Sequence, residues 1–419
     1  MSKKLSNEEI KTLSLSSLGG MLEFYDFIIF VFFTKVLGQL FFPANDPFWT
    51  DISTFSAFAA GYFARPVGGI VMAHFGDKFG RKNVFMLSIL LMVIPTFILG
   101  LMPTYENIGI YAPIVLILIR ILQGIAIGGE LPGAWVFVCE HSDPRVLGTT
   151  MGIFTSAVVS GILLGSIVTL LVNLNFTQEE IKDYAWRLPF ILGGVFGIIS
   201  IFLRRYLNET PVFKEIQALK QTQKIPIKEV IKSHKKGIIM SFLSTWILTG
   251  CVVITVLLMP KLLSKIFSIS NVSEVTYQIV AIFFLAFGNV FIGILSDRLG
   301  FKRTNIIFAS GLIIFAFLFH GCIVQNMNLN ITLLFYYLMA FSAGVMIFTP
   351  LFLVKSFPPQ IRYSGISFAY NISYAIFGGI TPIFFAWVLN LGNYFLLGMY
   401  MIFLGSLSIV LGLIFERKH

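Results

Sequence analysis

Long apolar runs alternate with short polar breaks along the whole chain. Apolar windows of about twenty residues, enough to cross a bilayer as helix, fall at 18–41, 52–74, 84–102, 111–131, 147–172, 188–206, 238–260, 275–295, 305–324, 331–354, 364–389 and 394–415. This predicts twelve membrane-spanning helices. The periodicity is helical or continuously apolar, and runs this long satisfy their backbone groups in lipid only as helices. The longest polar break, 207–236, separates six spans from six. The expected architecture is an all-α membrane protein of two pseudo-symmetric six-helix bundles. Residues 1–206 form the first bundle, 207–236 a cytoplasmic linker with short surface helices, and 237–419 the second bundle.

Two short polar breaks repeat each other. Gly76-Asp77-Lys78-Phe79-Gly80-Arg81-Lys82 joins spans two and three, and Ser296-Asp297-Arg298-Leu299-Gly300-Phe301-Lys302-Arg303 joins spans eight and nine, with Asp77 and Asp297 220 positions apart. A charged loop repeated half a chain later points to internal duplication, a common construction in secondary transporters. The aspartates are expected near the start of the following helix, where its dipole favours an anion. The basic residues can bridge to neighbouring helix ends, so both loops are read as a latch that breaks when their side of the molecule opens.

Composition agrees: 57% of residues are hydrophobic, 12% are charged and mean hydropathy is +0.87, whereas a soluble domain is about a quarter charged. The net charge of +10 could suggest nucleic acid, but its distribution does not. With the N-terminus inside, 23 of the 30 lysines and arginines lie on cytoplasmic segments, as the positive-inside bias requires. Both termini are therefore expected in the cytoplasm. Cys139, Cys251 and Cys322 fall in or beside apolar segments and read as small core residues, not as a disulfide framework or a metal site. The first apolar stretch is too long for a signal-peptide core. The chain ends just past span twelve, so no appended domain is expected.

Charges inside lipid are costly and usually face a cavity or a partner. Glu23 and Asp26 share one face of the first helix. At about 1.5 Å per residue, Asp26 stands roughly 12 Å above the inner boundary and Arg120 roughly 13–14 Å below the outer one. In a core about 30 Å thick they meet at one depth and can pair across a central cavity. Such a pair can switch: an ionised Asp26 stays with Arg120, and takes a proton when substrate or a conformational change draws Arg120 away. A permanent structural ion pair is the competing reading. Arg65 reads as a structural or gating residue, and Glu130 as a carboxylate meeting basic loop residues. Tyr25, Gln123, Trp246, Asn289, Tyr370 and Asn371 are candidate pocket-lining groups, with Arg120 the cation offered to a substrate. Gly148/Gly152, Gly161/Gly165 and Gly378/Gly379 mark close helix packing.

These residues resemble a known group. The two repeated loops look like the hallmark loops of the major facilitator superfamily. Gly20 to Phe27, Arg65-Pro66-Val67-Gly68-Gly69, Arg120-Ile121-Leu122-Gln123-Gly124 with Gly128-Gly129-Glu130, Trp186-Arg187-Leu188-Pro189-Phe190 and Glu209-Thr210-Pro211-Val212-Phe213 are more specific. Phe357-Pro358, Arg362-Tyr363-Ser364-Gly365, Tyr370-Asn371, and Phe377-Gly378-Gly379 with Pro382 continue the series. Together they resemble the metabolite:proton symporter family, which includes proline/betaine, α-ketoglutarate, citrate and shikimate permeases. The resemblance implies proton-driven uptake by alternating access across a bacterial inner membrane, with Asp26 and Arg120 where related proton-coupled porters place their carboxylate–arginine pair; Glu23, nearer the inner surface, is read from its position as either a third proton-coupling residue or an interfacial one. The candidate cytoplasmic-gate residues are Arg65, Gly76, Asp77, Gly80, Arg81, Glu130, Glu140, Arg145, Asp297, Arg298 and Arg362. Three positions depart from the pattern. Lys355 stands where the family usually has glutamate, Phe301 replaces an arginine, and Arg145 is shifted from the position just before Gly148.

The expected substrate is a small polar metabolite, an organic anion or a zwitterion, moved with a proton by a monomer in the lipid bilayer. No cofactor, metal or nucleic acid is implied. A proton-coupled exporter is the alternative within transport, and a non-transporting sensor the alternative outside it. An enzyme is not supported: no nucleophile–base set, phosphate loop or metal-spaced ligands occur, and His74, His141, His234, His320 and His419 are scattered singly.

Overall fold

The computed structural model describes residues 6–43, 47–219 and 225–416, and these are helical almost throughout. In chain order the long helices are α1 (Asn7–Phe41), α2 (Pro47–Phe79), α3 (Arg81–Leu101), α4 (Tyr111–His141), α5 (Pro144–Asn175) and α6 (Arg187–Arg204), then α7 (Lys235–Phe267), α8 (Asn271–Leu299), α9 (Phe301–Val324), α10 (Leu329–Lys355), α11 (Pro359–Leu391) and α12 (Phe395–Glu416). Eleven of them are long and apolar enough to cross a membrane by length and composition. The twelfth is α2, whose apolar character is diluted by Gly61, Tyr62, Arg65 and Pro66. Two short helices, Pro211–Ala218 and Pro226–Ser233, occupy the polar stretch between α6 and α7.

Several helices extend past the predicted membrane window. α1 starts at Asn7, not near residue 18, because Ser6 and Glu9 form a reciprocal capping box there. Glu9 also accepts from the Asp143 N–H at 2.8 Å, tying this extension to the turn before α5. α7 is interrupted by a π-helical stretch, Val253–Leu258. Two of the carbonyls it frees are taken up by side chains: Tyr336 donates to Thr255 O at 2.6 Å and Gln278 to Val256 O at 2.9 Å. Residues Ala343–Ile347 of α10 tighten to a 3-10 turn. Irregular turns of this kind are frequent hinge points.

The packing repeats itself. In the first half α1 lies on α5, α2 on α4 and α3 on α6; in the second α7 lies on α11, α8 on α10 and α9 on α12. Adding six to each number converts one set into the other, the structural counterpart of the repeated loops. The two halves meet along two seams related by the same rule, α5 against α8 and α2 against α11. An even number of crossings puts both chain ends on one face, together with the loops 76–82 and 296–303.

Glycines make the first seam close. Gly148 and Gly152 press against Gly293 and the Asn289 carbonyl of α8, while Gly161 and Gly165 receive Met21, Tyr25 and Ile28 of α1. The two small-residue steps of α5 therefore serve different neighbours, one across the seam and one within the first half. Gly378 and Gly379 do not act this way: a Cβ at Gly378 would find only ordinary contact and one at Gly379 open space.

Candidate functional site

Asp26 and Arg120 meet inside the membrane at 3.6 Å, both almost fully buried. Gln123 lies one turn along α4 from Arg120, accepts from its Nη1 at 2.7 Å, and donates to the second Asp26 oxygen at 3.0 Å. Thr96 of α3 donates to the first Asp26 oxygen at 2.8 Å, and the Phe30 ring covers the guanidinium with its centroid 4.1 Å away. Sequence depth alone suggested a pair facing across a central cavity. The structure instead closes it among α1, α3 and α4, within the first half. Tyr25 points elsewhere, its hydroxyl donating to Pro189 O at 2.8 Å.

A second buried charge cluster does lie on a seam. Arg65 of α2 is 3.9 Å from Glu23 of α1. Its guanidinium sits 4.4 Å from the Tyr374 ring centroid and 5.8 Å from those of Tyr370 and Tyr62. Tyr62 stacks on Tyr374, and the Trp135 ring meets Tyr370 edge-on at 4.9 Å. Three aromatic faces around one guanidinium form a cation–π site made from both halves. Nearby, Trp135, Phe24, Leu131, Thr155, Leu248 and Met346 surround a void of only about 20 Å³ between the halves. Small-molecule pockets span about 300–1,000 Å³, so here the two halves are drawn together.

The other candidate pocket residues divide. Asn371 of α11 bridges the halves, donating to Gly128 O at 2.8 Å. Asn289 is fully buried beside Gly152 at the α5–α8 seam, and both its side-chain polar atoms lack a hydrogen-bond partner among the described residues. Trp246 is held within the second half, stacked on Phe377 at 4.0 Å and donating to Tyr400 at 2.8 Å.

On the chain-end face the latch residues behave as two matched caps. Asp77 accepts from the N–H groups of Tyr363 at 3.4 Å and Ser364 at 2.8 Å, the first turn of the long helical stretch of α11. Asp297 accepts from Gly148 N at 2.8 Å, Thr149 N at 2.7 Å and the Thr149 hydroxyl at 2.6 Å, the equivalent turn of α5. Each aspartate thus complements a helix N-terminus in the opposite half, not the helix that follows it in sequence. Gly80 and Gly300, at φ 115° and 85°, make the turns that let the next helix leave. Gly76 leaves room for the Tyr363 ring, whose hydroxyl donates to Gly129 O at 2.7 Å.

Glu140 completes the closure by pairing with Arg81 of its own half and with Arg362 of the other at 2.8 Å. Arg81 also donates to Pro359 O at 2.7 Å. Four expected gate members lie outside this contact set, and the first, Arg65, sits in the aromatic cluster on the α2–α11 seam. Arg145 is exposed and pairs with its neighbour Asp143, and Arg298 is exposed. Glu130 meets no loop residue: it is wholly buried in the first half, paired with Arg204 at the end of α6 and accepting from Ser88.

Sequence reading missed Thr96, Tyr62, Tyr374, Trp135 and Arg204, whose neighbours come from distant helices. It passed over Glu209, whose carboxylate accepts from Lys82 N at 3.1 Å and so caps α3 from the linker. Tyr363 and Glu209 both stand within the motifs quoted above and were findable there.

The family model described as Major Facilitator Superfamily matches residues 17–382. The glycine betaine/proline/ectoine/pipecolic acid transporter OusA of Dickeya dadantii is 32% identical over 97% of this chain and 83% of its own. The proline/betaine transporter of Salmonella typhimurium is 33% identical over 91% of this chain and 78% of its own. Among solved structures, the proton:xylose symporter XylE bound to 6-bromo-6-deoxy-D-glucose superposes with a TM-score of 0.77 at 16% identity, covering 98% and 95% of the two chains. The chain belongs to the major facilitator superfamily and is a membrane transporter, not an enzyme.

Proposed function

We propose that this protein imports a small zwitterion together with a proton across a bacterial inner membrane, with both chain ends in the cytoplasm. The distribution of lysine and arginine supports that orientation, and the relatives named for proline and betaine support the substrate class. The observation that carries the coupling is the buried Asp26 carboxylate, satisfied by Thr96 and Gln123 and facing Arg120 at 3.6 Å. Protonating Asp26 removes its attraction for Arg120 and frees Gln123 and Thr96 to turn. In this proposal Asp26 is the proton carrier, Arg120 its counter-charge, and Glu23 the second carboxylate, coupled through Arg65 to the substrate.

The zwitterion is assigned to the Arg65 cluster. Its cationic nitrogen takes the place of the guanidinium on the faces of Tyr374, Tyr370 and Tyr62 beside Glu23, and its carboxylate pairs with the displaced Arg65. This route requires the halves, 1–206 and 237–419, to part first on the face opposite the chain ends. Afterwards the Asp77, Asp297 and Glu140 contacts break to release the solute inside, with 207–236 joining the two halves. A single chain contains the whole path.

Reconstituted vesicles test the coupling role. Asp26→Asn is expected to abolish accumulation of proline or glycine betaine driven by a pH gradient while leaving counterflow exchange. Undiminished gradient-driven accumulation by that variant would reject it.

A further inference from the structure

Gln123 lies between the two buried charges, and Arg120 dictates which way its amide points. A guanidinium only donates, so the group facing Arg120 Nη1 at 2.7 Å has to be the amide oxygen, Oε1. Nε2 then faces the other way, and both its hydrogens are used. One goes to Asp26 Oδ2 at 3.0 Å and the other to Thr96 Oγ1 at 2.8 Å. Arg120 itself stands 3.6 Å from Asp26, beyond hydrogen-bond length.

The hydrogen bonds on the carboxylate therefore come from Gln123 and Thr96. A hydrogen donated to a carboxylate favours its ionised form, whereas an acceptor presented at the same place favours the protonated one. Glu23, the other carboxylate on this helix face, is turned to Arg65 of α2, and Arg120 is the charge that acts on Asp26. Thr96 suits either state. Its single hydroxyl hydrogen has two acceptors in reach, Asp26 Oδ1 at 2.8 Å and Met92 O at 2.9 Å.

Taking Asp26 as the proton carrier proposed above, we infer that Gln123 is the positioning residue that converts the place of Arg120 into the protonation state of Asp26. It does so by turning its amide over. With Arg120 in place the amide is locked with N–H toward Asp26, and the carboxylate stays ionised. When Arg120 withdraws, Oε1 loses its donor, and a half-turn about the Cγ–Cδ bond brings it to Asp26. A proton from water on the open side binds Asp26 Oδ2, and the new O–H donates to Oε1; no other covalent bond forms or breaks. Thr96 turns its hydrogen to Met92 O. The return of Arg120 reverses the amide, and Asp26 loses both its acceptor and its proton.

The test is proton uptake when proline or glycine betaine is added to the purified full-length protein in weak buffer. Uptake is measured across the pH range and divided by the solute bound, which calorimetry gives. Wild type is expected to reach about one proton per solute. Gln123→Met keeps the volume and both charges but has no amide, and its uptake should fall to about a third or less. Thr96→Val removes a donor of similar length from the same carboxylate, so its uptake should move along the pH axis and keep its height. Full uptake by Gln123→Met would overturn the amide relay, with Arg120 then acting directly. Equal loss in Gln123→Met and Thr96→Val would overturn it too, as the mark of a merely disturbed site. If Asp26→Asn takes up as many protons as wild type, the carrier is wrong and the relay falls with it. If Asp26→Asn takes up none while Gln123→Met takes up the full amount, the relay alone is rejected. Infrared difference spectra of wild type carrying isotope-labelled glutamine need no variant: solute should shift a side-chain amide band, and unchanged glutamine bands would overturn the turn of the amide.

Discussion

Removing the Asp297 cap should unlatch the chain-end face without unfolding the protein. In the closed form this half-buried carboxylate receives two backbone N–H groups and one hydroxyl, all at 2.6–2.8 Å, from the first turn of α5. Helix caps contribute about 0.5–2 kcal/mol, and hydrogen bonds to a charged group about 1.5–3 kcal/mol. When the seam opens, water takes over these partners, so only a difference of this size is lost. Asp297→Ala should therefore weaken the closed state by about 1.5–3 kcal/mol, a shift of about 10- to 150-fold in the closed-to-open ratio. Asp297→Asn, which keeps an acceptor but loses the charge, should shift it less. Spin labels at Arg145→Cys and Arg298→Cys, exposed positions on the two sides of this seam, report the change by pulsed electron resonance once Cys139, Cys251 and Cys322 are replaced. The short-distance population should shrink in the order wild type, Asp297→Asn, Asp297→Ala. Identical distance distributions in all three would refute the capping argument.

Other expectations follow from the same geometry. Glu130→Gln or Arg204→Ala leaves one charge of a fully buried pair uncompensated and should cost about 3–5 kcal/mol; in thermal unfolding the double variant Glu130→Gln/Arg204→Met should recover much of the loss. Gly80→Ala forces a side chain into φ 115° and should cost about 1–3 kcal/mol, read as a lowered Tm. Gly152→Leu cannot close against the Asn289 carbonyl; the protein should fold, fail to transport, and admit an impermeant thiol reagent to a cysteine placed at the chain-end side of the α5–α8 seam. Tyr374→Ala removes the nearest aromatic face from the Arg65 site and should raise KM for a betaine more than for a neutral solute of equal size.

Local rules made the helices and the duplication legible. Apolar run length identified the spans, and the loop at 76–82 with its copy at 296–303 foretold the repeated packing. The Asp26–Arg120 contact was reachable because helix rise converts residue number into depth. Direction around each helix was not reachable in the same way: depth could not say that Thr96 and Phe30 would enclose the pair inside one half. The partner of Asp77 lies 286 and 287 positions away on α11. Local dipole reasoning chose the nearest helix start, whereas the closed seam brings a different one closer. Glu130 misled for a related reason: its place at the end of a predicted span suggested loop partners, while Arg204, at the end of α6, meets it inside the first bundle. Tyr62, Tyr370 and Tyr374 form an aromatic box only because α2 and α11 cross there, a contact that neither helix signals alone.

The most direct check is whether substrate binding draws a proton onto Asp26. In a weakly buffered solution of the purified protein with a pH indicator, adding proline or glycine betaine should produce proton uptake by wild type and none by Asp26→Asn, with substrate binding by the variant confirmed calorimetrically. Equal uptake by both proteins would contradict the account.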